Sequence, residues 1–220
     1  MLPLRDENPR RSTPVLTLLI ILANLAVFLY QIALSPPAEQ QFFLEFAMIP
    51  ARIPLAFTSP SVTFSQAFAP LLTSIFLHGG LLHLAGNMWF LWVFGDNVED
   101  RFGHFTYLMF YLICGVGASV VHTIFNLDSR IPAVGASGAI SGVMGAYVVM
   151  FPRARVLTWI PPLFIIPLPA FVVLVVWFLL QFFGGLQSLG AQAAGGVAFW
   201  AHVGGFVFGM VLAIASRGRR

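Results

Sequence analysis

The stretch GASGAISGVMGAY, residues 135–147, decides the fold, because small residues recur in it at every fourth position. A second stripe with the same spacing lies near the C-terminal end of the chain. The members of the two stripes are Gly138, Gly142 and Ala146, and Ala201, Gly205, Gly209 and Ala213. Residues four apart share one helix face. Two such faces allow the close backbone approach of a GxxxG pair, so the spacing predicts two tightly packed membrane helices.

The composition indicates a membrane protein. Of 220 residues, 59% are hydrophobic and only 9% are charged. A soluble domain carries about 25% charged residues to cover its surface. The mean hydropathy of +0.89 agrees with this interpretation. We therefore expect an integral membrane protein and exclude a water-soluble globule.

The number of spans follows from the apolar runs, because about 20 apolar residues cross the roughly 30 Å of hydrocarbon. The sequence predicts an all-α polytopic protein, a bundle of six transmembrane helices in a single domain over residues 1–220. The predicted helices cover about 14–34, 73–95, 104–125, 135–151, 162–183 and 197–215.

The proline-rich segment 35–72 is too apolar for a solvated linker and too rich in Pro for a span. We expect it to form a structured loop at the outer interface.

The arginines predict the orientation, since positive charge favours the cytoplasmic side. Nine arginines fall on the side that the two termini share, and only Arg52 and Arg130 fall opposite. Both termini are therefore predicted to be cytoplasmic. The basic residues border spans and form no groove-sized patch, so we expect no nucleic-acid partner. The compact six-span form favours a prokaryotic plasma (inner) membrane, with an organelle membrane as the open alternative.

Polar side chains within the predicted spans mark a candidate site, because such groups are costly in a bilayer. These residues are His78, His83, Asn87, His122, Ser137, Ser141 and His202. His83 and Asn87 are four apart and so share a helix face. A zincin-type metal site requires a carboxylate near the histidines, and the predicted helix cores contain no Asp or Glu. We therefore predict no metal.

Ser137 lies where a hydroxyl could be reactive. The helix 135–151 measures about 25 Å, shorter than the hydrocarbon, and arginines fix its far end at the cytoplasmic side. Ser137 is thus predicted at a helix N-terminus below the outer surface, where free N–H groups favour a developing anion. His202 adjoins the second small-residue stripe as Ser137 adjoins the first, so the spacing brings together a hydroxyl and a general base. The alternative is that both residues serve only hydrogen bonding and packing.

Three segments resemble the rhomboid intramembrane serine proteases. They are TSIFLHGGLLHLAGNMWFLWVFGDNVEDRFG (73–103), GASGAISGVMGAY (135–147) and AHVGGFVFG (201–209). Family members carry H-x-x-x-N, G-x-S-G and A-H-x-G-G-x-x-x-G in these helices and in this order. The resemblance implies that Ser137 is the nucleophile and His202 the general base. It also implies that His83, Asn87 and the Ser137 backbone N–H form the oxyanion hole.

The resemblance implies further roles. The substrates would be transmembrane segments of other proteins in contact with membrane lipid, and no cofactor would be needed. Glu99 and Arg101 match a structural E-x-R-x-G element, described as a buried or capped ion pair, and Gly205 and Gly209 match structural positions. Trp177, Phe178 and Gln181 would be gate candidates, with lipid-facing bulk as the alternative. We interpret Ser141 as a packing or auxiliary residue. Some members have a Tyr at this position, so the group that orients His202 in this chain stays open.

Two other functions compete with proteolysis. One is a non-catalytic rhomboid-like protein that binds membrane clients without cutting them. The presence of all four site residues argues against it. The other is a small transporter or channel, which would spread polar residues through the depth of the membrane, whereas here they cluster towards the outer half.

Overall fold

The computed structural model describes residues 1–162, 164–188 and 198–216. Ten α-helices and one 3-10 turn form within these residues. They are α1 (Val15–Ala33), α2 (Pro36–Phe46), α3 (Arg52–Thr58), α4 (Phe64–Phe68), α5 (Pro70–Thr73), the 3-10 turn Ser74–Phe76, α6 (Leu81–Phe102), α7 (His104–Ile124), α8 (Ser137–Met150), α9 (Ala170–Ser188) and α10 (Phe199–Ser216). Three strands accompany them, β1 (Leu2–Asp6), β2 (Arg155–Ile160) and β3 (Phe164–Pro169).

The helices have the lengths and hydropathies of a membrane bundle. Within the described residues, α1, α7, α9 and α10 are each long and apolar enough to cross a membrane. The segment Phe64–Phe76 and α6 pass the same test as a pair that is bent by 75°. α8 is apolar but has only 14 residues. The protein is therefore a helical integral membrane protein, as its composition predicts.

The second predicted helix, 73–95, is wrong at both ends. The structure has a 3-10 turn at Ser74–Phe76 and starts α6 at Leu81, which it continues to Phe102. The polar end of α6 stays helical because the N-terminal residues bind it. Asp100 accepts a hydrogen bond from the Ser12 backbone N–H at 2.8 Å, and Glu99 accepts one from that of Thr17 at 2.7 Å. The predicted helix ended at residue 95, before the first charged residues, because the sequence did not indicate which groups would bind them.

The all-α prediction is wrong in one region, where the three strands form an antiparallel sheet in the order β1-β2-β3. Leu2 pairs with Trp159 in the first ladder, and Ile160 pairs with Phe164 in the second. The fifth predicted helix, 162–183, accordingly begins later, at Ala170. Prolines at 161, 162, 167 and 169 lack the N–H that a helix interior needs, so this apolar run forms a hairpin before it can form a span.

The remaining predicted helices lie close to the observed ones. α1 and α7 agree with 14–34 and 104–125 within one residue at each end, and α8 starts two residues after 135. For the last helix, predicted as 197–215, residue 197 lies outside the described residues and α10 runs to Ser216. Arg217, Arg219 and Arg220, which entered the orientation argument, also lie outside them.

The segment 35–72, for which a structured loop was predicted, contains the short helices α2 to α4 and most of α5. It joins the loop before α8 through backbone hydrogen bonds. Met48 and Ala133 exchange N–H···O bonds of 3.1 and 2.7 Å, and Ala51 donates to the Ser129 carbonyl at 3.0 Å. Its location at a membrane interface stays a prediction.

α8 lies at the centre of the bundle, with every residue from Gly138 to Tyr147 buried. α10 packs directly on it. A Cβ atom at Gly205 would overlap the carbonyl oxygen of Gly138, and one at Gly209 would overlap that of Gly142. The obstructing atoms are backbone, which cannot turn aside. Only glycine therefore permits this backbone separation between α8 and α10.

Candidate active site

A cavity of about 670 Å³ lies among α6, α7, α8, α9 and α10. The predicted site residues His83, Asn87, Ser137 and His202 all line it, although they come from three different helices. Residues 129 and 131–134 of the loop before α8 contribute a further wall. The cavity is therefore large enough to admit an extended stretch of peptide beside these four side chains.

Ser137 and His202 are in direct contact. Ser137 is the first residue of α8, and its Oγ lies 2.7 Å from His202 Nε2. The imidazole reaches it from the first turn of α10, where the His202 backbone N–H bonds the Ala198 carbonyl at 3.2 Å. The glycine contacts between α8 and α10 set this distance, because Gly138 follows Ser137 directly and Gly205 is three residues after His202.

The other ring nitrogen of His202 also has a partner. His202 Nδ1 lies 2.7 Å from Gln181 Oε1, which α9 supplies. The sequence singled out Gln181 only as a gate candidate. The structure instead places it next to the imidazole. Residue spacing could not predict this contact, because the two positions are 21 residues apart and lie on different helices.

His83 and Asn87 face the backbone that leads into Ser137. A Cβ atom at Gly135 would lie 2.8 Å from His83 Nε2 and 3.6 Å from Asn87 Nδ2. Gly135 has φ +124°, a conformation that favours glycine. The His83 Nδ1 atom accepts a hydrogen bond from the Gly79 N–H at 3.4 Å, so Nε2 carries the proton when the ring is neutral.

Asn87 presents an unused donor. Its Nδ2 atom is buried and has no hydrogen-bond partner within the part of the chain that the structure describes. A buried unsatisfied amide is costly, and such groups are often found where a ligand supplies the missing partner. Three kinds of donor thus line the cavity near the start of α8. They are Asn87 Nδ2, His83 Nε2 and the backbone N–H groups of the first turn.

The two aromatic gate candidates pack inward against α10. The Trp177 ring centroid lies 5.8 Å from that of His202, and the Phe178 centroid lies 4.9 Å from that of Phe206. Both residues are half-buried. α9 therefore covers the side of the cavity where His202 lies.

Ser141 is one turn further along α8 and is completely buried. Its hydroxyl donates to the Ser137 carbonyl at 2.6 Å, a bond within the helix. Ser141 thus does not take the place beside His202 that the resemblance gives to a Tyr.

Glu99 ties the end of α6 to the start of α1. It is fully buried, and its carboxylate accepts from the backbone N–H groups of Leu16 and Thr17 at 2.8 and 2.7 Å. His104 Nδ1 lies 2.6 Å from the same carboxylate. Arg101 is exposed in the last turn of α6. The Glu99 carboxylate therefore caps the first turn of α1. The resemblance implied an ion pair between Glu99 and Arg101 and gave no indication of this cap.

Gln31 was not predicted as a site residue, although a polar residue inside an apolar span is itself a signal. The Gln31 side chain is buried and clamps the backbone of His78, donating to its carbonyl at 2.9 Å and accepting from its N–H at 3.1 Å. It thereby fixes the chain between the 3-10 turn and α6. His122, from α7, also lines the cavity. Within the described residues it forms no hydrogen bond with Ser137 or His202.

Within the described ranges, no three His, Cys, Asp or Glu side chains converge as a metal site requires. The cavity wall combines a hydroxyl, a base and several N–H donors, which are the groups that acyl transfer requires.

Comparison with known proteins points to one family. A family model described as Rhomboid domain matches residues 65–219. The chain is also similar to the Rhomboid protease AarA of Providencia stuartii, with 30% identity over 215 residues, 91% of this chain and 72% of that protein.

Two other relatives match over a shorter segment. The Rhomboid protease GluP of Bacillus subtilis is 45% identical over 76 residues, 34% of this chain and 14% of that protein. RHOMBOID-like protein 6, mitochondrial, of Arabidopsis thaliana is 42% identical over 76 residues, 34% of this chain and 24% of that protein. The similarity to these two thus spans a quarter of their length or less.

Proposed function

Since the chain belongs to the rhomboid family, we propose that it is an intramembrane serine endopeptidase that cleaves transmembrane segments of other membrane proteins. Ser137 is the nucleophile in this proposal and His202 the general base. The observation that carries it is the 2.7 Å contact between Ser137 Oγ and His202 Nε2 in the wall of the cavity.

The reaction has two halves. Ser137 Oγ attacks the carbonyl carbon of the scissile peptide bond while His202 Nε2 takes the hydroxyl proton. The imidazolium then gives this proton to the leaving amine as the C–N bond breaks, and an acyl ester of Ser137 remains. Water next attacks the ester carbonyl and passes its proton to His202, which returns it to Ser137 Oγ. The free acid and the original dyad result, so no cofactor is needed.

The oxyanion of each tetrahedral intermediate would be held by three donors. Asn87 Nδ2 supports this role because it is buried and unsatisfied next to Gly135, two residues before Ser137. His83 Nε2 adjoins the same backbone, and the Ser137 N–H belongs to the free donors of the α8 N-terminus. Donors that are already in place when charge develops supply a large part of the rate in such sites.

The membrane arrangement is part of the proposal. We propose one membrane domain with six crossings, made by α1, the bent pair that ends in α6, and α7 to α10. α8 spans only about 21 Å at 1.5 Å per residue. Its Ser137 end would lie below the outer surface, with both chain termini at the cytoplasmic side of a prokaryotic plasma membrane. The supporting observation is the hydropathy of the spans together with the short α8.

Substrate entry would pass α9. Trp177 and Phe178 pack between this helix and α10, so a displacement of α9 would open the cavity towards lipid. Membrane lipid and the apolar segments of client proteins are the partners in this proposal. Glu99, Arg101, Gly205 and Gly209 serve to hold the helices in place.

The test uses the protein reconstituted in lipid vesicles with a single-span reporter. Ser137→Ala and His202→Ala should each abolish cleavage while leaving thermal unfolding unchanged. Ser141→Ala is the matched control, because it removes a hydroxyl one turn away on the same helix, and it should retain activity. A fluorophosphonate probe should label Ser137 alone, as located by mass spectrometry.

Three results would contradict the assignment. Labelling of Ser141, or loss of activity only in Ser141→Ala, would show that Ser141 is the nucleophile and Ser137 is not. A wild-type protein that binds the reporter but neither cleaves it nor reacts with the probe would be a client-binding protein.

A further inference from the structure

We propose that Gln181 is a positioning residue for His202, which holds the imidazole in the one tautomer that can accept a proton from Ser137. This inference rests on the proposed protease function, since it assigns His202 the role of a base. The observation that carries it is the pair of contacts at the two ring nitrogens, 2.7 Å from Nδ1 to Gln181 Oε1 and 2.7 Å from Nε2 to Ser137 Oγ.

The chemistry of the two contacts fixes the proton. A neutral imidazole has one N–H donor and one bare acceptor nitrogen. The Ser137 hydroxyl can transfer its proton only to a bare Nε2, so the ring proton must be on Nδ1. Nδ1–H then needs an acceptor, and Gln181 Oε1 provides it. The amide cannot be turned round in this state, because its NH₂ group would face another donor.

Gln181 also serves the charged form of His202. After the proton transfer both ring nitrogens carry protons, and the Nδ1–H bond to the amide oxygen persists throughout. A carboxylate at this place would do the same with a full negative charge, which is costly within a membrane. The carboxamide supplies the acceptor oxygen without that charge, and the site then needs no acidic third member.

Among the residues that the structure describes, the other groups around His202 do not take this role. Ser141 is engaged with the Ser137 carbonyl, and the Trp177 ring packs on the imidazole without an acceptor atom. Trp177 and Gln181 are four residues apart on α9 and so approach His202 from the same helix face. His202 is therefore oriented only while α9 is in the position that covers the cavity.

The experiment compares substitutions that differ only in the acceptor. Gln181→Met keeps the length of an unbranched side chain and removes the oxygen. Gln181→Glu keeps an oxygen at the same place. Gln187→Met is the matched control, since Gln187 is an exposed glutamine on the same helix. The measurements are kcat and KM for a single-span reporter in lipid vesicles.

We expect Gln181→Met to lower kcat by about 10- to 100-fold, the loss expected when a buried donor is left without its partner. KM should change by less than about threefold, because the amide does not contact substrate in this proposal. Gln181→Glu should recover most of kcat, and Gln187→Met should match the wild type. A loss in Gln181→Met that appears in KM alone would show a gate or substrate contact instead and overturn the assignment.

A second measurement reports the tautomer without requiring activity. The chain has 5 histidines, so ¹⁵N-histidine labelling gives few ring signals, and His202→Ala identifies those of His202. In the wild type the His202 signals should be those of a ring protonated at Nδ1. In Gln181→Met they should move towards the Nε2–H form or an average of the two, while Gln187→Met leaves them in place.

The two proposals fail in different ways. If Ser137→Ala still cleaves the reporter, the proposed protease mechanism is wrong. If Ser137 is the labelled nucleophile but Gln181→Met changes neither the tautomer nor kcat, the mechanism stands and the positioning role of Gln181 is refuted.

Discussion

The contact between α8 and α10 gives the sharpest prediction, because glycine is required where the two backbones meet. In Gly205→Ala, the new methyl group would overlap the Gly138 carbonyl oxygen and come within 3.3 Å of Ser141 Cβ. Overpacking of a close-packed interior costs about 1–3 kcal/mol. Since the obstacle here is backbone, α10 must move away from α8, and we expect the upper part of this range.

The same displacement should reach the dyad. Gly205 is three residues after His202, and its contact residue Gly138 follows Ser137. A misplacement of about 1 Å can lower catalysis by about 100-fold. We therefore expect Gly205→Ala to lose about 100-fold in kcat. At about 2–3 kcal/mol and about 2–4 °C per kcal/mol for a chain of this size, it should lower the apparent Tm by about 4–12 °C.

The assay measures apparent Tm in detergent at a fixed scan rate and kcat on a single-span reporter. Gly86→Ala is the matched control, because a Cβ atom at Gly86 meets nothing within 4 Å and the site is inside helix α6. It should raise stability by about 0.5–1 kcal/mol, as expected for Gly replaced by Ala in a helix. If Gly205→Ala kept both the wild-type Tm and the wild-type kcat, the close backbone contact would not exist.

Three further predictions follow from the site and the N-terminal strand. Asn87→Ala should lower kcat by about 100- to 1000-fold with little change in KM, because one oxyanion donor is lost, and unchanged kinetics would exclude Asn87 from the hole. Gly135→Ala places a methyl group on the His83 ring at a φ that alanine rarely adopts, so kcat should fall at least tenfold. The variant should also react more slowly with the fluorophosphonate probe than the wild type does, and equal labelling rates in the two proteins would contradict this geometry. Burial raises the pKa of Asp6 from 3.8 to about 6, against the opposing hydrogen bond from Tyr147, so the folded protein holds this proton to higher pH than the unfolded chain. This contribution to stability is complete below about pH 4 and is lost as pH rises towards 6, and Asp6→Asn should remove that part of the pH dependence of Tm; an identical profile in both proteins would be the contrary result.

The helices that could be predicted are those whose signal is local. α1 and α7 are continuous apolar runs, and their ends were predicted within one residue. The sheet could not be predicted in this way, because β1 has five residues and pairs with β2, about 150 positions along the chain. The hairpin of β2 and β3 is as apolar as a span, and only its prolines distinguish it. Sequence hydropathy gives no sign of which apolar run pairs with another strand.

The sequence by itself determined the membrane class, the family motifs and the face that His83 and Asn87 share, because each depends on residue types at short, fixed spacings. Tertiary structure alone decided that Gln181 lies beside His202 and that Tyr147 donates to Asp6 at 2.5 Å across 141 positions. Helical periodicity specifies which side of a helix a residue occupies but leaves open which helix that side will meet. The packing of whole helices makes that choice, and at α8 and α10 glycines fix it by allowing one approach.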